Sequence, residues 1–340
     1  MIFQNAELHN VEKLIPTGDG GFTWLRIPEA VCNALERGEQ GRNMAVNCTG
    51  VELRFVLKGD RAVLRMAAEG GGRFHVYRGG IQGAWMDHEV DKNIEATPRG
   101  YVIERAANAE RLKRMDEAIS SPWDSEVVRV IFDLGRIRLY GIEGDIRPPK
   151  PEECPPRTLL CYGSSITHGS NALDGSHSWA ALLAHRLKMD LWNVAMAGSC
   201  AMEPEFTEWL AASGEQGRWD AAVLELGINV LGWPDEKIRR LAGRMIREVA
   251  GRNPDRQVFV ISPFFCGAEA LDGNPDPARW RRHLRALCQE AGCANVRYID
   301  GLEILNGLEY MSADEVHPNI EGAARIADAL TARLLPVIGK

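Results

Sequence analysis

No apolar run in this sequence reaches the length of a bilayer-crossing helix, which excludes a helical membrane span. Positive charge is not in excess either. The 40 Lys and Arg side chains face 47 Asp and Glu, a net of −7, and that balance excludes the basic footprint of a nucleic-acid binder. The eight cysteines are scattered and form no Cys-x-x-Cys pair, so buried or idle thiols are expected rather than a disulfide framework. No Cys/His cluster has a ligand spacing, and no metal or cofactor is expected. The first ten residues have neither a basic start nor an apolar stretch. No secretory signal is therefore expected, and the cytoplasm is the expected compartment. Internal repeats and low-complexity tracts are missing too.

What is present is the composition of a soluble globular protein, 45% hydrophobic and 26% charged. Its 340 residues suggest about two domains. The chain changes character near the middle. Residues 148–156 read Pro-Pro-Lys-Pro-Glu-Glu-Cys-Pro-Pro, the composition of a semi-stiff linker. The expected boundaries are a first domain over 1–147, this linker, and a second domain over 157–340.

Upstream of the linker the pattern is that of strands. Val51, Leu53, Phe55 and Leu57 recur at every second position, with Glu52 and Arg54 between the first three. Lys58-Gly59-Asp60 then reads as a turn, and Ala62, Leu64 and Met66 resume the period, which predicts a hairpin. Residues 74–77 alternate in the same way, and 127–132 are rich in β-branched side chains. Only 28–37 and 106–118 read as helices. Gly70-Gly71-Gly72 reads as a surface turn or a mobile loop. Many short strands with Gly-rich turns predict a β-sandwich of jelly-roll type.

Downstream, the pattern predicts strands over 158–162, 191–195, 221–226, 257–261 and 296–299. Helices are predicted over 179–187, 235–250, 277–291 and 319–335, the last with Asn319 as N-cap. Such alternation predicts a parallel sheet covered by helices on both faces, a three-layer α/β/α domain. Ligands of these sheets bind beyond the carboxyl ends of the strands, so chemistry is sought there.

Four short motifs lie at those places. Cys161-Tyr162-Gly163-Ser164-Ser165-Ile166-Thr167-His168-Gly169 follows the first strand, where a small glycine permits a tight turn that exposes a hydroxyl. Asn193-Val194-Ala195-Met196-Ala197-Gly198-Ser199 offers the Gly198 N–H. Leu224-Glu225-Leu226-Gly227-Ile228-Asn229 offers the Asn229 amide as a donor to a developing oxyanion. In Asp314-Glu315-Val316-His317-Pro318, three-residue spacing lets the carboxylate reach the imidazole ring and fix its tautomer. Alone, each has a plain structural reading as a capped turn, a loop glycine, a turn asparagine or a surface histidine. Together they make a nucleophile, donors, a base and an orienting acid, all in one half of the chain.

With these four blocks in this order, residues 157–337 resemble the SGNH/GDSL hydrolase superfamily, specifically two-domain members with an N-terminal β-sandwich. The Ser-Trp-Ala-Ala-Leu-Leu-Ala run at 178–184 and Ile261-Ser262-Pro263 look like that family as well. The resemblance implies Ser165 as nucleophile, His317 as base and Asp314 as its partner. It implies an oxyanion hole from the Ser165 N–H, the Gly198 N–H and the Asn229 amide. Two blocks depart from the family pattern: Gly-Asp-Ser reads Gly163-Ser164-Ser165, and Gly-x-Asn-Asp reads Gly227-Ile228-Asn229-Val230.

The activity implied is hydrolysis of short-chain acyl esters, acetyl foremost, with an acylated small molecule or oligosaccharide as partner. Ser164, His168, His177 and Trp233 are candidates for the substrate pocket, and Trp209 and Trp219 for sugar stacking or core. Two alternatives stand beside this reading: an acyltransferase with the same triad, and a non-catalytic carbohydrate-binding protein on an SGNH scaffold. The upstream half reads as a carbohydrate-binding module, a wall of the active site or a homo-oligomer interface.

Overall fold

A computed structural model describes residues 1–84, 92–271 and 276–339. The chain folds as two compact units. The first comprises residues 1–28, 45–156 and 188–190, and the second residues 29–44, 157–187 and 191–340. Residues 29–44, upstream of the linker, thus pack with the downstream unit, and residues 188–190 with the upstream one. No helix among the described residues is long and apolar enough to cross a membrane.

Among the described residues, the first unit is one curled antiparallel sheet of eleven strands. Two long strands organise it, Arg61–Arg78 and Val127–Glu143, paired antiparallel along most of their length. Breaks in register bend that ladder, which lets one sheet wrap around its own core. Trp24, Phe55, Phe74 and Phe132 fill the interior. The expected hairpin at Lys58-Gly59-Asp60 does not form as a ladder. Glu52–Leu57 and Arg61–Arg78 flank Val127–Glu143 on opposite sides, and each pairs with it. The β-branched run at 127–132 lies between them and takes the hydrogen bonds that a hairpin would have used. Gly70 to Gly72 are neither a surface turn nor a mobile loop. They sit inside Arg61–Arg78 as a bulge, where Gly70 and Gly71 have φ of 73° and 86°.

Glu52 and Arg54, the polar positions of the alternating run, are buried as well. Glu52 accepts from Arg54 Nε and Arg129 Nε at 2.8 Å each, and from Arg129 Nη2 at 2.5 Å. Arg54 makes a two-pronged pair with Asp190 at 2.7 Å per bond. Both guanidiniums lie over the Trp123 ring, at 4.9 and 4.1 Å. Burial pushes the Glu52 carboxyl up, but the two cations outweigh it and hold the group well below the usual range.

Among the described residues, the second unit is built on a sheet of five strands in the order Asp190–Asn193, Thr158–Tyr162, Ala221–Glu225, Gln257–Ile261, Val296–Ile299. The pairs from Thr158–Tyr162 to Val296–Ile299 run parallel. The chain steps outward once and then back across the sheet. Right-handed crossovers therefore put Trp179–Arg186 on one face and Pro204–Glu215, Asp235–Gly251 and Pro277–Glu290 on the other. The last helix, Ile320–Ile338, packs beside Trp179–Arg186. Pro204–Glu215 is a helix that the sequence pattern did not reveal. Phe206, Leu210 and Ala211 bury one side of it, but the neighbouring Thr207, Ser213 and Gly214 are buried too, which blurs the apolar period. The strand order reverses about Thr158–Tyr162, so the switch point of the sheet lies at the end of that strand.

Candidate active site

Strand Thr158–Tyr162 is almost wholly buried and ends at Gly163. Ser164 then caps the short helix Ser165–His168, its Oγ accepting from the Ile166 N–H at 3.1 Å. The same hydroxyl donates to Glu225 Oε2 at 2.6 Å. That oxygen also takes the Ser164 N–H at 2.8 Å and the Thr167 hydroxyl at 3.0 Å. Ser164 therefore points inward and is 1% exposed. It does not face a substrate pocket, which corrects the sequence reading. Gly163 is required by close approach: a Cβ there would lie 2.7 Å from Glu225 Oε2 and run into the Thr167 hydroxyl. Glu225 is fully buried, and burial raises its pKa against the pull of the Ser164 and Thr167 hydrogen bonds.

Ser165, the next residue, turns the other way. Its Oγ lies 2.6 Å from His317 Nε2, and His317 Nδ1 lies 2.8 Å from Asp314 Oδ2. Asp314 Oδ1 accepts the backbone N–H groups of Val316 and His317, at 3.0 and 2.9 Å. The three-residue spacing thus folds as a turn around one carboxylate oxygen and leaves the other for the ring. Burial raises the Asp314 pKa, but these two N–H groups and the imidazole outweigh it and hold the carboxyl well below the usual range. A fourth donor, Asn171 Nδ2, reaches Asp314 Oδ2 at 2.7 Å. Asn171 is in the left-handed region, φ 63°, in the loop after the helix Ser165–His168. With a carboxylate fixed on Nδ1, Nε2 is the atom that accepts from the serine hydroxyl.

Gly198 and Asn229 lie on loops that follow the two strands flanking Thr158–Tyr162. Gly198 has φ of 65°, a conformation open to glycine. Asn229 Oδ1 accepts the Cys200 N–H at 3.2 Å, which turns the amide so that Nδ2 is the free end. The N–H groups of Ser165 and Gly198 have no protein acceptor among the described residues. Three donors therefore issue from the carboxyl ends of three adjacent strands.

The remaining candidates occupy different places in the unit. His168 closes the helix Ser165–His168 and is half-buried. His177 pairs through Nδ1 with both oxygens of Asp174, at 2.9 Å each. Trp233 is half-buried with Lys237 Nζ over its ring at 4.0 Å. Trp219 is fully buried and is core, while Trp209 stands edge-on to Trp192 and Phe206. Asn171, Thr167 and Glu225 were not singled out by sequence. Only Glu225 left a signal there, a lone carboxylate in the apolar run Ala221-Ala222-Val223-Leu224-Glu225-Leu226. Among the described residues, no three His, Cys, Asp or Glu side chains converge as a metal ion would need.

Serine hydrolases are the class in which hydroxyl, imidazole and carboxylate are joined in this order at the strand ends of such a sheet. Within that class, residues 161–325 of this chain match the GDSL-like lipase/acylhydrolase family. Solved structures resemble it along nearly the whole chain. A salicylyl-acyltransferase from a tetracycline biosynthetic pathway has a TM-score of 0.77 at 17% identity, over 98% of this chain and 95% of that one. A family two carbohydrate esterase from Cellvibrio japonicus has a TM-score of 0.65 at 12% identity, over 99% and 96%. Another from Clostridium thermocellum, solved in complex with cellohexaose, has a TM-score of 0.62 at 17% identity, over 98% and 99%. What is shared at these identities is the fold. No curated protein sequence matches the chain.

Proposed function

We propose that the chain is a serine esterase that removes short acyl groups, acetyl foremost, from a carbohydrate or related small molecule. The observation that carries this reading is the pair of hydrogen bonds, 2.8 and 2.6 Å, that joins Asp314 through His317 to Ser165. His317 takes the proton of Ser165 as its oxygen attacks the ester carbonyl. The Ser165 N–H, the Gly198 N–H and the Asn229 amide receive the oxyanion. His317 then protonates the leaving alcohol, and water repeats the sequence on the acyl-enzyme. Asp314, held ionised by its donors, stabilises the imidazolium in both halves of the cycle.

The carbohydrate part of the proposal rests on the likeness to two carbohydrate esterases, one of them solved with cellohexaose. We place the enzyme in the cytoplasm, because eight free thiols suit a reducing compartment. The test is hydrolysis of p-nitrophenyl esters from acetate to octanoate by wild type and Ser165→Ala, followed by acetylated oligosaccharides. Activity that vanishes in the variant and falls with chain length is expected. A folded wild type no more active than Ser165→Ala would overturn the esterase reading.

A further inference from the structure

Residues 29–44 precede the linker in sequence but belong to the hydrolase unit. The helix Glu29–Asn33 packs on Pro204–Glu215, and a second helix covers Glu39–Ala45. Between them, residues 36–40 touch both loops that carry the outer oxyanion donors. On the Gly198 side, the Glu36 N–H donates at 3.0 Å to Oε1 of Glu203, a carboxyl only 4% exposed, and the Gln40 amide nitrogen sits where a Cβ of Gly198 would lie. On the Asn229 side, Arg37 Nη2 donates to the Asn229 carbonyl at 3.1 Å. Lys237, on the helix that follows this loop, pairs with the Glu36 carboxylate at 2.7 Å.

The sheet does not join these two loops. Their parent strands are separated by Thr158–Tyr162, about 9–10 Å apart at ordinary strand spacing. One direct loop-to-loop hydrogen bond, from the Cys200 N–H to Asn229 Oδ1, crosses the gap. We propose that residues 36–40 are a strap that holds the two donor loops at their working separation, with Arg37 the positioning residue for Asn229. The proposal rests on the reading of Gly198 and Asn229 as oxyanion donors. Arg37 is itself exposed, so its removal opens no cavity. What its loss changes is the freedom of a loop, and a displacement of about 1 Å at such a group can cost up to about a hundredfold in rate.

Wild type, Arg37→Ala and Arg37→Lys are compared as full-length proteins. Three quantities are read: amide hydrogen exchange in peptides spanning 196–202 and 226–231, the rate of Ser165 labelling by a fluorophosphonate, and kcat and KM for p-nitrophenyl acetate. Faster exchange in both peptides is expected for Arg37→Ala, with labelling and kcat down about tenfold, KM within about twofold, and partial recovery in Arg37→Lys. Unchanged exchange, or faster exchange with labelling unaltered, would overturn the strap. If wild type neither hydrolyses nor labels while Arg37→Ala still loosens both peptides, the esterase reading falls and the strap stands.

Discussion

Ser164 and Glu225 meet across two neighbouring strands of the hydrolase unit, and a single carboxylate oxygen takes both the N–H and the hydroxyl of the serine, at 2.8 and 2.6 Å. The residue before the proposed nucleophile is thereby fixed at both of its donors. The other oxygen, Glu225 Oε1, is buried without a partner among the described residues. A carboxyl that the family pattern places within the turn is here supplied from the strand alongside.

The pH dependence of stability should report this group. Burial raises the folded pKa of Glu225 above its ordinary value of 4.5. A raised folded pKa means stability that is fully present below about 4.5 and is lost as pH rises through the folded value. Glu225→Gln removes the titration and should flatten that decline. Urea midpoints for the two proteins across a pH series would check it, and parallel curves would remove Glu225 as the cause.

On the proposed reading of Asn229 as an oxyanion donor, Asn229→Ala should lower kcat for p-nitrophenyl acetate by about 10²–10³-fold with little change in KM, since such an amide acts on charge that develops only in the transition state. A change confined to KM would instead make Asn229 a ground-state contact.

Asn171→Ala should lower kcat about threefold to tenfold. The interaction lost is one partly exposed charge-assisted hydrogen bond to Asp314 Oδ2, at 2.7 Å, worth about 1 kcal/mol. Steady-state kinetics on the purified variant measure this directly, and a full-strength enzyme would show that the backbone N–H groups of Val316 and His317 hold Asp314 unaided.

In the β-rich unit, Glu52→Ala leaves Arg129 without its carboxylate and Arg54 with Asp190 alone. Removing one partner from a buried ion network typically costs about 3–5 kcal/mol. Denaturant unfolding followed by circular dichroism should register a loss of that size, whereas a loss under about 1 kcal/mol would mean that Asp190 and water satisfy both cations.

Much of the hydrolase unit was legible in sequence, because short apolar strands and amphipathic helices have periods that local pattern reveals. Ser165, Gly198, Asn229, Asp314 and His317 stand where the four blocks put them, since each block is a strand end or turn whose geometry is local. What escaped was long-range. The pairing of Val127–Glu143 between two strands adjacent in sequence depends on ladder competition that no local turn signal encodes. Glu52 and Arg54 read as the polar side of an alternating strand because their partners, Arg129 and Asp190, lie 77 and 136 residues away. Asn171 is a loop asparagine with nothing around it in sequence to mark it.

The reciprocal exchange of segments between the two units has a bearing on how the protein is made. Arg54 leaves the ribosome 136 residues ahead of Asp190, its two-pronged partner. At about 5–20 residues per second, that is a wait of roughly 7–30 seconds. Through that interval the β-rich unit carries a guanidinium at a buried position without its outer carboxylate pair. Nascent chains arrested before residue 188 should accordingly be cut by protease within that unit, and chains arrested well beyond residue 190 should resist. Synthesis order thus leaves the amino-terminal half of this protein unfinished until the Ser165 turn of its neighbour has been translated, since its last anchor, Asp190, follows that turn in sequence.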